Sequence, residues 1–331
     1  MPRFILRRAY FATLTILLVS IVVYGVFSIL PFDPAALTCG QKCTPAIVEA
    51  NRIKLGFDKP LWEQYWLFLS GIFLGRTYGS GSAEFTCPAP SFGYSFNENT
   101  CVTDMLKEAL PVTINLAIGA FVIWMVVGVG LGLIAAKFRG RYPDTLSSVF
   151  VLLGTSLPTF VTGLFFLIYV TIKWKIVPLS LKGYVSIFDE PVRYFQYFIL
   201  PWLTLAILFA AFYTRFTRAT VLETLGEDYI RTARAKGLSE KTVLLKHTMR
   251  AALAPITTSA GLDIAGLIGG AIITESIFNL AGLGRMTLQA VYEFDLSVVV
   301  ATTILAAAVV ITMNLIVDIA YGYLDPRVRI K

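Results

Sequence analysis

The reactive side chains of this sequence are few and unevenly spread. There is one histidine, His247, and there are four cysteines, Cys39, Cys43, Cys87 and Cys101, all within 31–108. Two aspartates, Asp263 and Asp318, lie inside otherwise uncharged apolar runs, and a charged stretch spans 215–250. A single histidine excludes the H-E-x-x-H zinc motif and any His-rich metal site. A Ser-His-Asp arrangement would have to use His247, which has basic neighbours and no nucleophile-elbow motif nearby. No Gly-Lys dipeptide occurs, so the phosphate-cradling loop G-x-x-x-x-G-K-[S/T] is absent. An acid dyad of two membrane aspartates is equally poorly served: Gly261-Leu262-Asp263 lacks a G-x-G-D form, and Asp318 lies near the opposite end of its run. The expectation is a chain with no catalytic residue, no metal and no cofactor of its own.

The carriers of these residues are apolar. Of 331 residues 56% are hydrophobic and 15% charged, with a mean hydropathy of +0.71. A soluble domain has about 45–50% apolar and about 25% charged residues, so disorder, a fibrous repeat and an ordinary cytosolic enzyme are excluded. A bilayer core of about 30 Å needs about 20 residues of helix. Six runs satisfy that: 9–30, 110–136, 145–172, 194–214, 251–274 and 296–324. They are too long and continuous for barrel strands, so six transmembrane helices in an all-α integral membrane fold are predicted.

Orientation follows from Lys and Arg. With the N-terminus cytoplasmic, the inside segments 1–8, 137–144, 215–250 and 325–331 hold 17 basic and 6 acidic residues. The opposite side holds 11 basic and 13 acidic ones, so the net charge of +7 reflects membrane orientation and not nucleic acid. Both termini are expected inside. The first run has 22 uncharged residues, more than a secretory signal core of about 7–15, and reads as a retained signal-anchor helix. The four cysteines then fall in an oxidising compartment, where an even count suggests two disulfides. Three pairings are open; Cys39–Cys43 with Cys87–Cys101 is favoured only because both are local.

Within the same outer segment Trp62, Trp66, Leu69 and Phe73 recur at helical spacing. They predict an amphipathic helix over 61–74, packing this stripe on the outer ends of the membrane helices or docking a substrate-delivery protein. The Gly-, Ser-, Pro- and Asn-rich stretch 76–99 reads as irregular loop. Gly128, Gly130 and Gly132, and Gly261, Gly266, Gly269 and Gly270, offer small faces for close helix contact. Pro158 and Pro201 are expected to kink their helices. Asp263, about half-way along its span, needs a polar partner or a water-filled path.

The 215–250 segment contains Asp228-Tyr229-Ile230-Arg231-Thr232-Ala233-Arg234-Ala235-Lys236-Gly237, then Leu-Ser239-Glu-Lys, then His247-Thr-Met-Arg250. Residues 231–236 favour helix, Gly237 is a C-terminal stop and Ser239 can cap a second helix. Two short helices at an angle, with basic and small faces, suit a partner's groove; the alternative is a solvated basic loop that only sets orientation. This pattern resembles the EAA loop of ABC importer permeases, and most of all the B-type permease of oligopeptide, dipeptide and nickel uptake systems. Further matches are Lys59-Pro60-Leu61-Trp62-x-x-Tyr65, Leu110-Pro111-Val-Thr113, Ser156-Leu157-Pro158-Thr-Phe160 and Leu200-Pro201. Gly269-Gly270-Ala-Ile-Ile-Thr-Glu275-Ser-Ile-Phe278, Gly282-Leu283-Gly284-Arg285, and Asp318 with Leu324-Asp325-Pro326-Arg327 complete them. Together they cover nearly the whole chain.

The resemblance implies a type I ABC importer (MetI-like) permease in the bacterial inner membrane. Its parts would be a tip and first helix (1–30), an extracytoplasmic loop (31–108), a transmembrane domain (109–324) and a cytoplasmic tail (325–331). Implied partners are a homologous C-type permease, two ABC ATPase domains, an extracytoplasmic substrate-binding protein and membrane lipid, with no nucleic acid. ATP and Mg would belong to the partner subunits. Coupling would run through Tyr229, Arg231, Thr232, Ala233, Arg234, Lys236, Gly237 and His247. Asp263 is the named candidate for the translocation path, and di- or oligopeptides for the cargo. Nickel or another small solute stays open, as does, in another class, a stand-alone channel or carrier using the membrane aspartates.

Overall fold

Apolar periodicity and glycine or proline punctuation set most element boundaries. The computed structural model describes residues 2–28, 44–56, 58–78, 85–95, 97–178, 183–268 and 271–324. In chain order the helices are α1 (Pro2–Ser28), α2 (Pro45–Leu55), α3 (Leu61–Leu74), α4 (Val102–Lys137), α5 (Tyr142–Ser156) and α6 (Thr159–Phe165). They continue with α7 (Pro191–Leu225), α8 (Asp228–Ala235), α9 (Glu240–Thr242), α10 (Met249–Ile268), α11 (Ile272–Ile277), α12 (Leu283–Tyr292) and α13 (Leu296–Leu324). Phe166–Lys173 prolongs α6, and Val243–Thr248 leads into α10, both as π-helical turns.

The chain packs as two compact units. The first comprises the described residues of 1–113 and 281–312. Its core joins Val102, Leu106 and Ala109 of α4 to Leu283 and Ala290 of α12 and Val298 and Val299 of α13. A second cluster packs Phe68 of α3 on Val300 and Ile304 of α13, with Val23 and Tyr24 of α1 alongside. Two antiparallel hairpins, β1 (Arg76–Tyr78) with β2 (Phe85–Cys87) and β3 (Tyr94–Ser95) with β4 (Thr100–Cys101), stand where irregular loop was expected.

The second unit comprises the described residues of 114–280 and 313–331. Helix α7 lies at its centre, and small residues let neighbours approach it. A Cβ on Gly154 of α5 would lie 2.7 Å from Ala211, and one on Gly132 of α4 would lie 2.6 Å from Thr217. Gly128 also faces α7, whereas Gly130 has nothing within 4 Å, so the three glycines do not form one contact face.

Among the described residues, five helices are long and apolar enough to cross a membrane. The expected run 145–172 is not one rod: α5 and α6 meet at a 98° bend. Leu157 adopts φ −92°, ψ 118°, the extended conformation imposed on a residue before proline, and Pro158 has no N–H to continue the ladder. A sixth span exists only if this bent pair is counted as one. By contrast α7 runs on through Pro201. The expected run 251–274 is also divided: α10 is Met249–Ile268, and residues 272–274 belong to a separate short helix, α11.

The stripe on α3 is not packed as one of its two readings expected. The helix has the predicted bounds, but its buried side is Gln64, Phe68 and Gly71, while Trp62, Trp66 and Phe73 are exposed. Cys39, Cys43, Gly269, Gly270, the side chain of Asp318 and the 325–331 tail lie outside the described residues.

Candidate functional site

The 226–248 loop is a small folded object. Helix α8 opens with Asp228 and carries Arg234 in its last turn, charges that suit the helix dipole. Its inner side buries Ile230 and Ala233 against Val243, with Leu225 packed on the cluster. After Lys236 the chain turns at Gly237, where φ is +75°. A Cβ there would meet nothing within 4 Å, so the requirement for glycine is conformational and not one of space. Ser239 caps α9 by accepting the Thr242 N–H at 3.4 Å.

Across the turn, Arg234 grips Glu240 with two hydrogen bonds, from Nε at 2.8 Å and Nη2 at 3.3 Å. The loop then enters the π-helical turn, in which Thr248 Oγ1 donates to the Val243 carbonyl at 3.1 Å. Tyr229, Arg231, Thr232, Lys236 and Gly237 are exposed, and His247 is half-buried. Arg231 lies 3.5 Å from Asp228. Two of the eight residues singled out in this loop therefore face inward or across it: Ala233 packs, and Arg234 fastens α8 to α9.

Asp263 of α10 is half-buried and accepts a 2.5 Å hydrogen bond from the hydroxyl of Tyr213, a fully buried residue of α7. Tyr213 stacks on Trp124 of α4. This is the polar partner that a carboxylate inside a span requires.

Sequence reasoning missed a second pair. Asp144, at the start of α5, receives Arg218 Nε at 2.7 Å and Nη2 at 2.9 Å, with the Gly140 N–H at 2.9 Å. The one available signal was that both charges flank apolar runs on the same expected side. A cavity of about 370 Å³ beside this pair is lined by Ser147, Ser148, Thr155, Thr214 and Arg215 among others.

In the first unit Cys87 and Cys101 form a disulfide, with Cα atoms 5.8 Å apart, joining β2 to β4. The second hairpin is fixed by Ser95, whose hydroxyl donates to Asp295 Oδ2 at 2.5 Å. Asn97 adds a bond to the Glu293 carbonyl at 3.1 Å. Asp295 also accepts the Val298 N–H at 3.3 Å, capping α13. Burial pushes its carboxyl above the usual carboxylate range, against the pull of the Ser95 bond. Among the described residues no three His, Cys, Asp or Glu side chains gather as a metal site.

Known proteins share this architecture. Residues 128–330 match the family described as binding-protein-dependent transport system inner membrane component, and residues 1–117 match its N-terminal counterpart. The glutathione transport system permease protein GsiC of Shigella flexneri is 35% identical over 331 residues, covering 100% of both chains. A putative peptide transport system permease protein of Brucella abortus is 37% identical over 334 residues, covering 99% of each. Among solved structures, a chain of the MetNI methionine ABC transporter in inward-facing conformations superposes with a TM-score of 0.52 at 17% identity. That match covers 67% of this chain and 97% of the other, and shows a shared fold. With matches along its whole length, the chain belongs to the binding-protein-dependent transport system inner membrane components, the multi-pass plasma-membrane permeases of ABC importers.

Proposed function

We propose that this permease forms half of the translocation path of a peptide importer. The observation that carries the reading is its full-length similarity, at 34–37% identity, to permeases named for glutathione and peptide transport. Those names favour a short peptide over nickel. A homologous permease would complete the path, a binding protein would deliver the cargo, and two ATPase domains would supply the energy from ATP and Mg.

In this reading 226–248 lies in the cytoplasm and seats on an ATPase. Tyr229, Arg231, Thr232 and Lys236 form the exposed face offered to it, and Ala233 and Gly237 set the shape of that face. His247 sits in the π-helical turn through which motion of the loop reaches α10. ATP-driven closure of the partner domains would move the loop as a unit and swing the helices between two arrangements of the path. Asp263, half-buried and anchored by Tyr213, would meet a cationic group of the cargo such as a peptide ammonium.

The test is reconstitution with the partner subunits in proteoliposomes, with uptake of labelled glutathione, a dipeptide and a nickel salt compared. ATP-dependent uptake of a peptide, reduced for cationic cargo in Asp263→Asn but not for neutral cargo, is the expected result. Peptide-independent nickel uptake would overturn the cargo assignment. Unchanged cargo range and rate in Asp263→Asn would return Asp263 to a purely structural role.

A further inference from the structure

The outward face of α3 is strongly apolar and open. Trp62 is 73% exposed, Trp66 62%, Phe73 75% and Leu74 85%. The first three lie on one stripe at i, i+4 and i+11, directed away from Gln64, Phe68 and Gly71, which are buried. We infer that this face lies in the membrane–water boundary, with Trp62, Trp66 and Phe73 set among lipid headgroups and the first carbons of the acyl chains.

Three observations choose lipid over a protein. The first is continuity with the exposed apolar surface of a span. Helix α3 docks on the final turns of the α1 span: Tyr65 Oη shares a 2.8 Å hydrogen bond with Ser20 Oγ, and Tyr24 contacts the rings of Tyr65 and Phe68. The outward face of α1 is Leu14, Leu18, Ile21, Val22 and Val26, all exposed and apolar, as a span bathed in lipid requires. A helix held at Ser20 and Tyr24 sits beside the end of that span, at the depth where the hydrocarbon gives way to headgroups.

The second observation is composition. The stripe carries two indoles, side chains with an apolar body and one N–H donor, which concentrate at this boundary because both ends are satisfied there. The third is charge. Glu63 is the only charged residue of α3, and it is held by Lys59 at 2.8 Å. A water-soluble protein partner would find no free charge on the helix to steer it. At 14 residues α3 is too short to span, so it lies along the surface as an interfacial helix does.

The experiment uses tryptophan emission of the full-length protein in bilayers. Trp174, the other exposed indole, is removed by Trp174→Phe, and Trp124 and Trp202 are buried. The component of interest is the emission lost when Trp62→Phe and Trp66→Phe are added to that background. In lipid brominated near the headgroup end of its chains this component should be largely quenched. It should be less quenched by lipid brominated near the methyl end, and little affected by iodide in the water phase. Quenching by iodide with no response to bromination would overturn the inference. A bromination-insensitive component that loses its iodide quenching when a substrate-binding protein is added would also overturn it, giving the face to a protein. Phenylalanine keeps the apolar packing, and unchanged thermal unfolding of the variant ensures that the emission reports placement and not loss of fold.

Discussion

The 76–101 segment and the 226–248 loop both lead into a long apolar helix, and they are held by different forces. The first is stapled. A disulfide links its two hairpins, and Ser95 reaches a buried carboxylate at the foot of α13. The second has a three-residue core of Ile230, Ala233 and Val243, an exposed ion pair across its turn, another within α8, and a single backbone turn that only glycine adopts easily. A covalent staple and a buried hydrogen bond resist displacement, while a small core and a surface ion pair let a loop move as a piece. The difference fits a fixed frame around the hairpins and a movable lever in the loop.

The comparison breaks most visibly at the lever's turn. Gly237→Val places a β-branched residue at φ +75°, a strain of about 1–3 kcal/mol. ATP-driven uptake is expected to fall about tenfold or more while membrane insertion and thermal unfolding stay near wild type. Normal uptake would show that the turn carries no coupling.

On the stapled side, Cys87→Ser with Cys101→Ser opens a link of sequence separation 14, a loss of about 3 kcal/mol. Limited proteolysis should then cut within 76–101 much faster, with 226–248 unaffected. Equal cutting before and after would remove the contrast drawn here.

A smaller loss, about 1–3 kcal/mol, is expected for Ser95→Ala, which leaves the buried Asp295 without its hydroxyl donor. This site also has a pH signature. Asp295 binds its proton more tightly in the folded state, so its contribution is largest at acid pH, falls as pH rises through the raised value and is level above it. Asp295→Asn should abolish that slope in hairpin protection measured by hydrogen exchange.

The smallest effect is Arg234→Gln. An exposed pair contributes about 0.2–1 kcal/mol, and the difference from wild type in protease nicking near Gly237 should shrink at high salt.

Local chemistry was legible in the residues themselves. The apolar runs locate the spans, and Gly237 and Ser239 mark the stop of α8 and the cap of α9, because each signal acts within one or two turns. The resemblance carried the fold and family further than any spacing did. Pairings made by tertiary packing were not legible. Ser95 and Asp295 are 200 residues apart and Asp144 and Arg218 are 74 apart, and neither pair leaves a periodic trace. Which side of α3 packs was not legible for a related reason. The helix is apolar nearly all round, so periodicity fixes its bounds but not which side meets protein. Pro158 and Pro201 look alike in sequence, yet only one interrupts its helix, so residue type alone does not decide what a proline does.

The bend at Pro158 limits where lipid can reach. The carbonyls of 153–156 at the end of α5 have no following turn to bond with, and the Pro158 carbonyl already receives Val161 and Thr162. Hydrocarbon offers such groups nothing, and each would cost several kcal/mol if left bare in it. Leu157 and Phe160 are exposed on either side of the break. Wherever those carbonyls face outward, the bend calls for polypeptide or water beside it and not for acyl chains.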